Sequence, residues 1–341
     1  MVRVLLVEDS AVTLEYLGLL LSQDRGLEVV ATARDGVEAV EKAERLHPDV
    51  ILMDVHMPRL GGLEATRQIM AQVPTPIVLI TASLDPGETE LGFESIKAGA
   101  LTLVGKPGGL DSPEGRELIR TVKLMAEVKV VRRWPVRTVA RDRMPRPVQR
   151  VDVVAIGAST GGPATLAEIL AGLRSARALP PILVVQHITP GFSAGLAEWL
   201  GKESGLPVRL AKTGQRLAAG VVHVAPDGME MGIGADARIV LSRPPSNDGS
   251  QPTVDHLFES VAASHGRCAM GILLTGMGRD GAAGLRRLRE AGAITVAQDE
   301  ATSVIFGMPG EAIRLGAAEH VLSPRDISRL ILTIPGTQEG R

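Results

Sequence analysis

Short apolar runs and amphipathic stretches alternate along the first 120 residues, and this alternation constrains the fold more than any other feature of the chain. Residues 2–7, 28–31, 50–53, 77–81 and 101–104 read as five buried strands, and 12–22, 36–46 and 63–71 as helices between them. Strands that are apolar along their whole length must be covered on both faces. A repeated strand–helix unit therefore predicts a parallel sheet with helices on either side. In such a sheet, chemistry gathers beyond the carboxyl ends of the strands. Here those ends carry Glu8, Asp9, Asp54, Thr81 and Lys106. Three carboxylates converging at one edge repel one another unless a cation joins them. Oxygen ligands of this kind suit Mg²⁺, and a nearby lysine and hydroxyl would then hold a phosphoryl group.

The whole chain has 341 residues, enough for about two domains of ~150 residues. It carries 37 basic and 39 acidic side chains, which excludes a globally basic nucleic-acid binder and a disordered acidic chain. Its single cysteine, Cys268, excludes a disulfide scaffold and fits a reducing compartment. No stretch approaches the ~18 uninterrupted apolar residues of a membrane span, so a soluble cytoplasmic protein with no membrane insertion is expected. Charge is unevenly spread: residues 1–119 hold a net −9, 120–150 a net +8 and 151–341 a net −1. The basic stretch 128–150 combines seven arginines with Pro135, Pro145 and Pro147 and reads as an extended linker. Nucleic-acid binding by it is not expected, because it lacks interleaved aromatics beyond Trp134 and any recognition-helix pattern. The expected organisation is a domain over 1–120, a linker over 121–150, a second domain over 151–335 and a tail over 336–341.

From Val7-Glu8-Asp9-Ser10 through Met53-Asp54-Val55-His56-Met57-Pro58 to Gly105-Lys106-Pro107, the first segment resembles the receiver domain of two-component response regulators. The resemblance implies that Asp54 accepts the phosphoryl group from a histidine kinase. Asp9, Asp54 and the backbone carbonyl of His56 would hold Mg²⁺, with Glu8 assisting through water and Thr81 and Lys106 touching the phosphoryl group. Leu103 stands where many receivers carry a switching Tyr or Phe.

In the second half, the strand-like run 151–156 leads into Gly157-Ala158-Ser159-Thr160-Gly161-Gly162-Pro163 and a helix over 164–173. Gly157-x-Ser159-x-Gly161 at a strand-to-helix turn permits a strained elbow that exposes the serine oxygen, beside free N–H groups at the helix start. A serine nucleophile needs a base and a group to orient that base. His187 ends the strand-like run 181–187. The other six histidines compete less well: His47 and His56 belong to the first domain, His256 and His265 to the amphipathic stretch around 253–264, and His223 and His320 to strand-like runs. Asp280 follows the run 270–275, so Ser159, His187 and Asp280 all leave strand ends where they could meet. Their chain order is not that of ordinary α/β-hydrolases, but such triads recur on unrelated topologies.

A second reading competes. Gly276-x-Gly278-x-x-Gly281 is a dinucleotide-binding fingerprint followed, 18 residues after its last glycine, by Asp299. It would make this domain a nicotinamide-dependent oxidoreductase. Against it, Asp280 would oppose a pyrophosphate inside the loop, at about 4 kcal/mol for ~4 Å and an effective dielectric near 20. A non-catalytic binding output domain is the third reading.

Residues 151–335 resemble the catalytic domain of the chemotaxis protein-glutamate methylesterases. The carrying motifs are Ile156-Gly-Ala-Ser-Thr-Gly-Gly162, Val185-Gln-His187, His223-Val-Ala-Pro-Asp227, Val254-Asp-His-Leu-Phe258, Leu274-Thr-Gly-Met-Gly-Arg-Asp-Gly281 and Phe306-Gly-Met-Pro309. The resemblance implies Ser159 as nucleophile, His187 as base and Asp280 as orienting acid, with the N–H groups of Thr160 and Met277 at the oxyanion hole. It implies a doubly wound, mostly parallel α/β domain with an antiparallel hairpin. The implied reaction needs no cofactor and hydrolyses γ-methyl esters on methyl-accepting receptors, with glutamine deamidation as a companion activity. By the same resemblance, an unphosphorylated receiver covers the active site and the linker acts as the hinge.

Overall fold

Strands form here because apolar residues run without a polar break, and helices begin where a side chain can satisfy the first free N–H groups. The computed structural model describes residues 1–82, 86–128, 150–176, 178–234, 236–244 and 253–334, and these fall into two compact units. Residues 129–149 of the expected linker lie outside the described residues, as does the expected tail.

The first unit runs β1 (Val2–Val7), α1 (Ala11–Ser22), β2 (Leu27–Ala33), α2 (Gly36–Leu46), β3 (Val50–Asp54), α3 (Gly62–Gln72), β4 (Ile77–Thr81), α4 (Pro86–Ala98), β5 (Thr102–Gly105) and α5 (Pro113–Ala126). Its five strands are all parallel, in the order β2-β1-β3-β4-β5. Every residue of β3 and β4 is buried, which accounts for their apolar runs 50–53 and 77–80; each strand ends in a buried polar residue, Asp54 or Thr81. Ser10 caps α1, Asp35 caps α2, and Ser112 followed by Pro113 opens α5. Helix α5 continues to Ala126, beyond residue 120. Leu103 is buried and fills the space that a side chain at Gly92 would occupy.

The second unit runs β6 (Val153–Ala158), α6 (Gly162–Gly172), β7 (Ile182–Gln186), α7 (Ser193–Ser204), β8 (Val208–Leu210), β9 (Val222–Val224), β10 (Glu230–Ile233), β11 (Ile239–Ser242), α8 (Val254–His265), β12 (Ala269–Leu273), α9 (Ala282–Glu290), β13 (Ile294–Gln298), α10 (Met308–Arg314), β14 (His320–Leu322) and α11 (Pro324–Leu332). Seven strands make one parallel sheet in the order β14-β13-β12-β6-β7-β9-β8. The expected antiparallel hairpin is β10–β11, separate from this sheet. Alternate strand residues such as Val153, Ala155, Leu183 and Val185 join Leu257, Phe258 and Leu285 in one apolar cluster that also takes in the hairpin. Helices α6, α7 and α11 pack together as a separate layer.

The order of connection fixes where a site can form. From β6 the chain moves to β7, on to the edge strand β8 and back to β9 between them, then crosses to build β12, β13 and β14 on the other flank of β6. Connections leave β6 and β12 in opposite directions, which opens a crevice at their carboxyl ends.

Candidate active site and receiver pocket

Ser159, His187 and Asp280 leave adjacent strands β6, β7 and β12 at this crevice. Ala158 pairs with Gln186 across β6–β7, and the His187 N–H donates to Ala158 O at 2.9 Å. The Ser159 N–H donates to Thr275 O at 3.0 Å, beyond the end of β12. The serine therefore sits between the other two strand ends, anchored by backbone ladders on both sides.

The strain expected at the serine is located two residues later. Among the described residues Ser159 is not in the left-handed region, whereas Gly161 has φ +78°. A side chain at Gly161 would collide with Val304, so glycine serves both the turn and the close approach.

His187 and Asp280 meet through Nε2 and Oδ2 at 2.9 Å. Because Nε2 faces the carboxylate, Nδ1 is the ring nitrogen left over to act as a base. Asp280 is held on its far side by a helix start: the N–H groups of Val254 and Asp255 donate to it at 2.8 and 3.1 Å. Burial pushes the Asp280 carboxyl up. The hydrogen bonds from His187 and Val254 outweigh this, and the net result lies below the usual aspartate value.

Asp255 returns the arrangement. Its Oδ1 accepts the Gly284 N–H at 2.6 Å near the start of α9, while Asp280, just before α9, holds the start of α8. The two helices thus cap each other with one aspartate apiece. Burial pushes the Asp255 carboxyl up against the Gly284 hydrogen bond, with Asp280 and Glu259 adding repulsion. Further back, Glu230 on β10 accepts the N–H of Thr253 at 2.9 Å, and Thr253 is the side-chain cap of α8.

Two backbone donors border the serine. The N–H groups of Thr160 and Met277 have no acceptor among the described residues. The Ser159 hydroxyl likewise makes no hydrogen bond there, so the structure joins base to acid but not nucleophile to base. Thr275 ties the surrounding loops together. Its hydroxyl donates to Thr160 O at 2.9 Å and accepts the Ile305 N–H at 3.0 Å, and its own N–H donates to Gln298 Oε1 at 2.8 Å. Glu230, Asp255, Thr275, Gln186 and Gln298 were given no role by sequence reasoning. For Gln186 and Thr275 the signal at hand was their place inside the motifs carrying His187 and Asp280, and for Asp255 its place in the separate Val254–Phe258 motif.

The dinucleotide reading fares poorly. Asp280 spends its oxygens on His187 and the start of α8. Asp299 spends Oδ1 on Thr302, accepting its N–H at 3.0 Å and its hydroxyl, as the cap of a short turn. The carboxylate inside the loop is thus part of the crevice, and the expected ribose acid serves as a turn cap.

In the first unit, oxygens of Glu8, Asp9 and Asp54 lie within 4.8 Å of one another. Lys106 Nζ bridges Glu8 at 2.8 Å and Asp54 at 2.9 Å. Thr81 and Lys106 are neighbours, the Lys106 N–H donating to Thr81 O at 2.8 Å. Burial pushes the Asp54 carboxyl above its usual value despite Lys106 and the N–H groups of His56 and Val55. Burial also raises Glu8, with Lys106 opposing and Asp54 adding to the rise. On Lys106 burial is outweighed by the two carboxylates, and its ammonium is held above the usual lysine value. One lysine does not neutralise this cluster, and three converging oxygen donors fit a hard divalent cation.

A parallel receiver-type sheet followed by a doubly wound sheet with Ser, His and Asp at its crevice defines a response regulator with an α/β hydrolase as its output. Residues 154–331 match the model of the CheB methylesterase family, and residues 4–117 that of the response regulator receiver domain. The chain is 50% identical over 335 residues to the protein-glutamate methylesterase/protein-glutamine glutaminase 4 of Geobacter metallireducens, covering 95% of this chain and 96% of that one. It is 42% identical to a protein of the same name, numbered 1, from Syntrophus aciditrophicus, covering 99% of each. The crystal structure of the Thermotoga maritima CheB methylesterase catalytic domain aligns with 55% of this chain and 100% of its own, at 32% identity and a TM-score of 0.51. The chain belongs to the CheB methylesterase family and carries a receiver domain in front of its catalytic domain. Among the described residues no helix is long and apolar enough to cross a membrane.

Proposed function

We propose that this chain hydrolyses γ-methyl esters of glutamyl residues on methyl-accepting chemotaxis receptors, releasing methanol, and hydrolyses receptor glutamine amides by the same route in the cytoplasm. The observation that carries the reading is the His187–Asp280 pair at the crevice beside Ser159, bordered by two backbone N–H groups that have no acceptor.

In this mechanism His187 Nδ1 takes the proton of the Ser159 hydroxyl as its oxygen attacks the ester carbonyl. The developing oxyanion is met by the N–H groups of Thr160 and Met277, each worth about 3–4 kcal/mol at the transition state. His187, now a cation, is stabilised by the Asp280 carboxylate and returns the proton to the departing methanol. Water then attacks the acyl-enzyme, with His187 again taking a proton and Ser159 released. Asp280 stays ionised throughout.

The receiver supplies regulation. A histidine kinase delivers the phosphoryl group to Asp54, and esterase activity rises. Asp9, Asp54 and the His56 carbonyl would hold Mg²⁺, with Glu8 behind them, and the cation offsets the charge of the incoming group. Thr81 and Lys106 contact the phosphoryl oxygens. The test is methanol release from methylated receptor with and without acetyl phosphate and Mg²⁺. Stimulation that disappears with chelator or in Asp54→Asn supports the reading, and activity indifferent to both removes the regulatory half. A nicotinamide cofactor that binds in a titration would favour the oxidoreductase instead.

A further inference from the structure

We infer that Gln186 is the residue that positions the oxyanion hole and joins it to the base, an inference that rests on the proposed roles of Ser159, His187 and Thr160. Gln186 ends β7, is 5% exposed, and extends across the carboxyl edge of the sheet. Its Nε2 donates to two backbone carbonyls at once, Ser159 O at 2.8 Å and His187 O at 2.8 Å. With two carbonyl oxygens as neighbours, only the amide NH₂ matches donor to acceptor, which fixes the orientation of the group.

What this does follows from the planarity of the peptide. In a trans peptide the C=O of one residue and the N–H of the next point in opposite directions. The peptides here are trans. The Ser159 carbonyl is held by Gln186 Nε2 and by the Gly162 N–H at 2.8 Å. The Thr160 N–H, in the same peptide, is thereby aimed the other way, and it is this group that has no acceptor among the described residues. The second donor is set by the same device with backbone alone. The Gly276 carbonyl accepts the N–H groups of Gly307 and Met308 at 3.1 and 2.9 Å, which turns the Met277 N–H outward. One donor peptide is thus fixed by main chain alone, the other by main chain together with a side chain that also holds the peptide of the base.

The surroundings are built for that side chain. A Cβ at Gly162 would overlap Gln186 Oε1, so glycine there leaves room for the amide. Oε1 is buried with no donor among the described residues. A residue that merely filled this space would be better as Leu or Met, which carry no such unsatisfied oxygen.

The test uses the full chain and methylated receptor as substrate, with Ser159→Ala as reference. Gln186→Met keeps the length and removes the donor; kcat should fall about tenfold to a hundredfold with KM within about twofold, less than loss of a whole oxyanion donor. The rate of inactivation by a phosphonofluoridate, which builds a tetrahedral anion on Ser159, should fall in parallel. In Gln186→Glu a protonated carboxyl supplies one O–H in place of two N–H groups. That variant should lose activity as pH rises and the buried carboxyl ionises, an alkaline limb the parent lacks. If Ser159→Ala is silent while Gln186→Met keeps kcat within twofold, the inference is wrong and the triad stands. If Ser159→Ala stays active, the triad itself is wrong. Should Gln186→Met not fold, Gln186→Glu decides, and absence of the alkaline limb overturns the inference.

Discussion

The two units place charged groups at the same address, the carboxyl edge of a parallel sheet, and treat them in opposite ways. In the receiver pocket burial lifts the carboxyls of Glu8 and Asp54, and one lysine serves both. In the catalytic crevice Asp280 is half-buried, and a histidine and a helix start hold it below its usual value although partial burial pushes it up. The first arrangement sets one lysine against three carboxylates. The second gives its one carboxylate three N–H donors. The contrast teaches that burial alone does not set the behaviour of a carboxylate; the count of donors aimed at it does.

The largest expected effect comes from unbalancing the balanced site. Asp280→Asn keeps the shape but removes the charge that steadies the His187 cation, and kcat for methanol release should fall on the order of 10³–10⁴-fold. A loss under tenfold would mean that Asp280 serves as a helix cap and little more. Next is the partner cap. Asp255→Ala leaves the start of α9 without its acceptor and should cost about 1–2 kcal/mol of catalytic-unit stability in denaturant unfolding. A smaller fall in kcat should accompany it. Unchanged stability would show that the reciprocal capping is incidental.

The smallest effect relieves the unbalanced pocket. Both receiver carboxyls have folded values above their unfolded ones, near 3.8 for Asp54 and 4.5 for Glu8. Their ionisation in the folded state therefore costs stability. That cost is absent below the unfolded values, grows as pH rises through them and is complete above the folded values. Asp54→Asn should raise the melting temperature of the receiver transition near pH 7 by a few degrees, since ~1 kcal/mol moves a domain of this size about 4–8 °C. The gain should shrink with Mg²⁺ and vanish as pH falls through the carboxylate range. For Asp280 the sign is reversed. Its depressed value makes the ionised form stabilising above about 3.8, a contribution lost only as pH falls through the still lower folded value. The receiver thus gains from mild acid where the triad is indifferent, and differential scanning calorimetry of both variants checks this.

Much of this was legible in the sequence because the informative residues sit next to local signals. Buried central strands such as β3, β4 and β6 are apolar up to their last residue or throughout, and Glu8, Asp54, Ser159 and His187 directly follow or end such runs. The Gly-x-Ser-x-Gly pattern suggests an elbow at the serine; the left-handed residue is Gly161 instead, where no Cβ resists. The supporting residues were not legible, because their partners lie far along the chain. Thr275 binds Thr160 across 115 positions, and Asp255 binds Gly284 across 29. No local periodicity encodes such pairs. Only the assembled sheet, with β12 laid beside β6, brings them together.

The most direct test of the account is to identify the atom that carries the acyl group. Methylated receptor is mixed with the full chain, the reaction is quenched in acid during turnover, and the peptides are read by mass spectrometry. An acyl adduct is expected on the peptide containing Ser159, and it is absent in Ser159→Ala, whose methanol release also stops. An adduct on Cys268, or turnover that persists in Ser159→Ala, would contradict it.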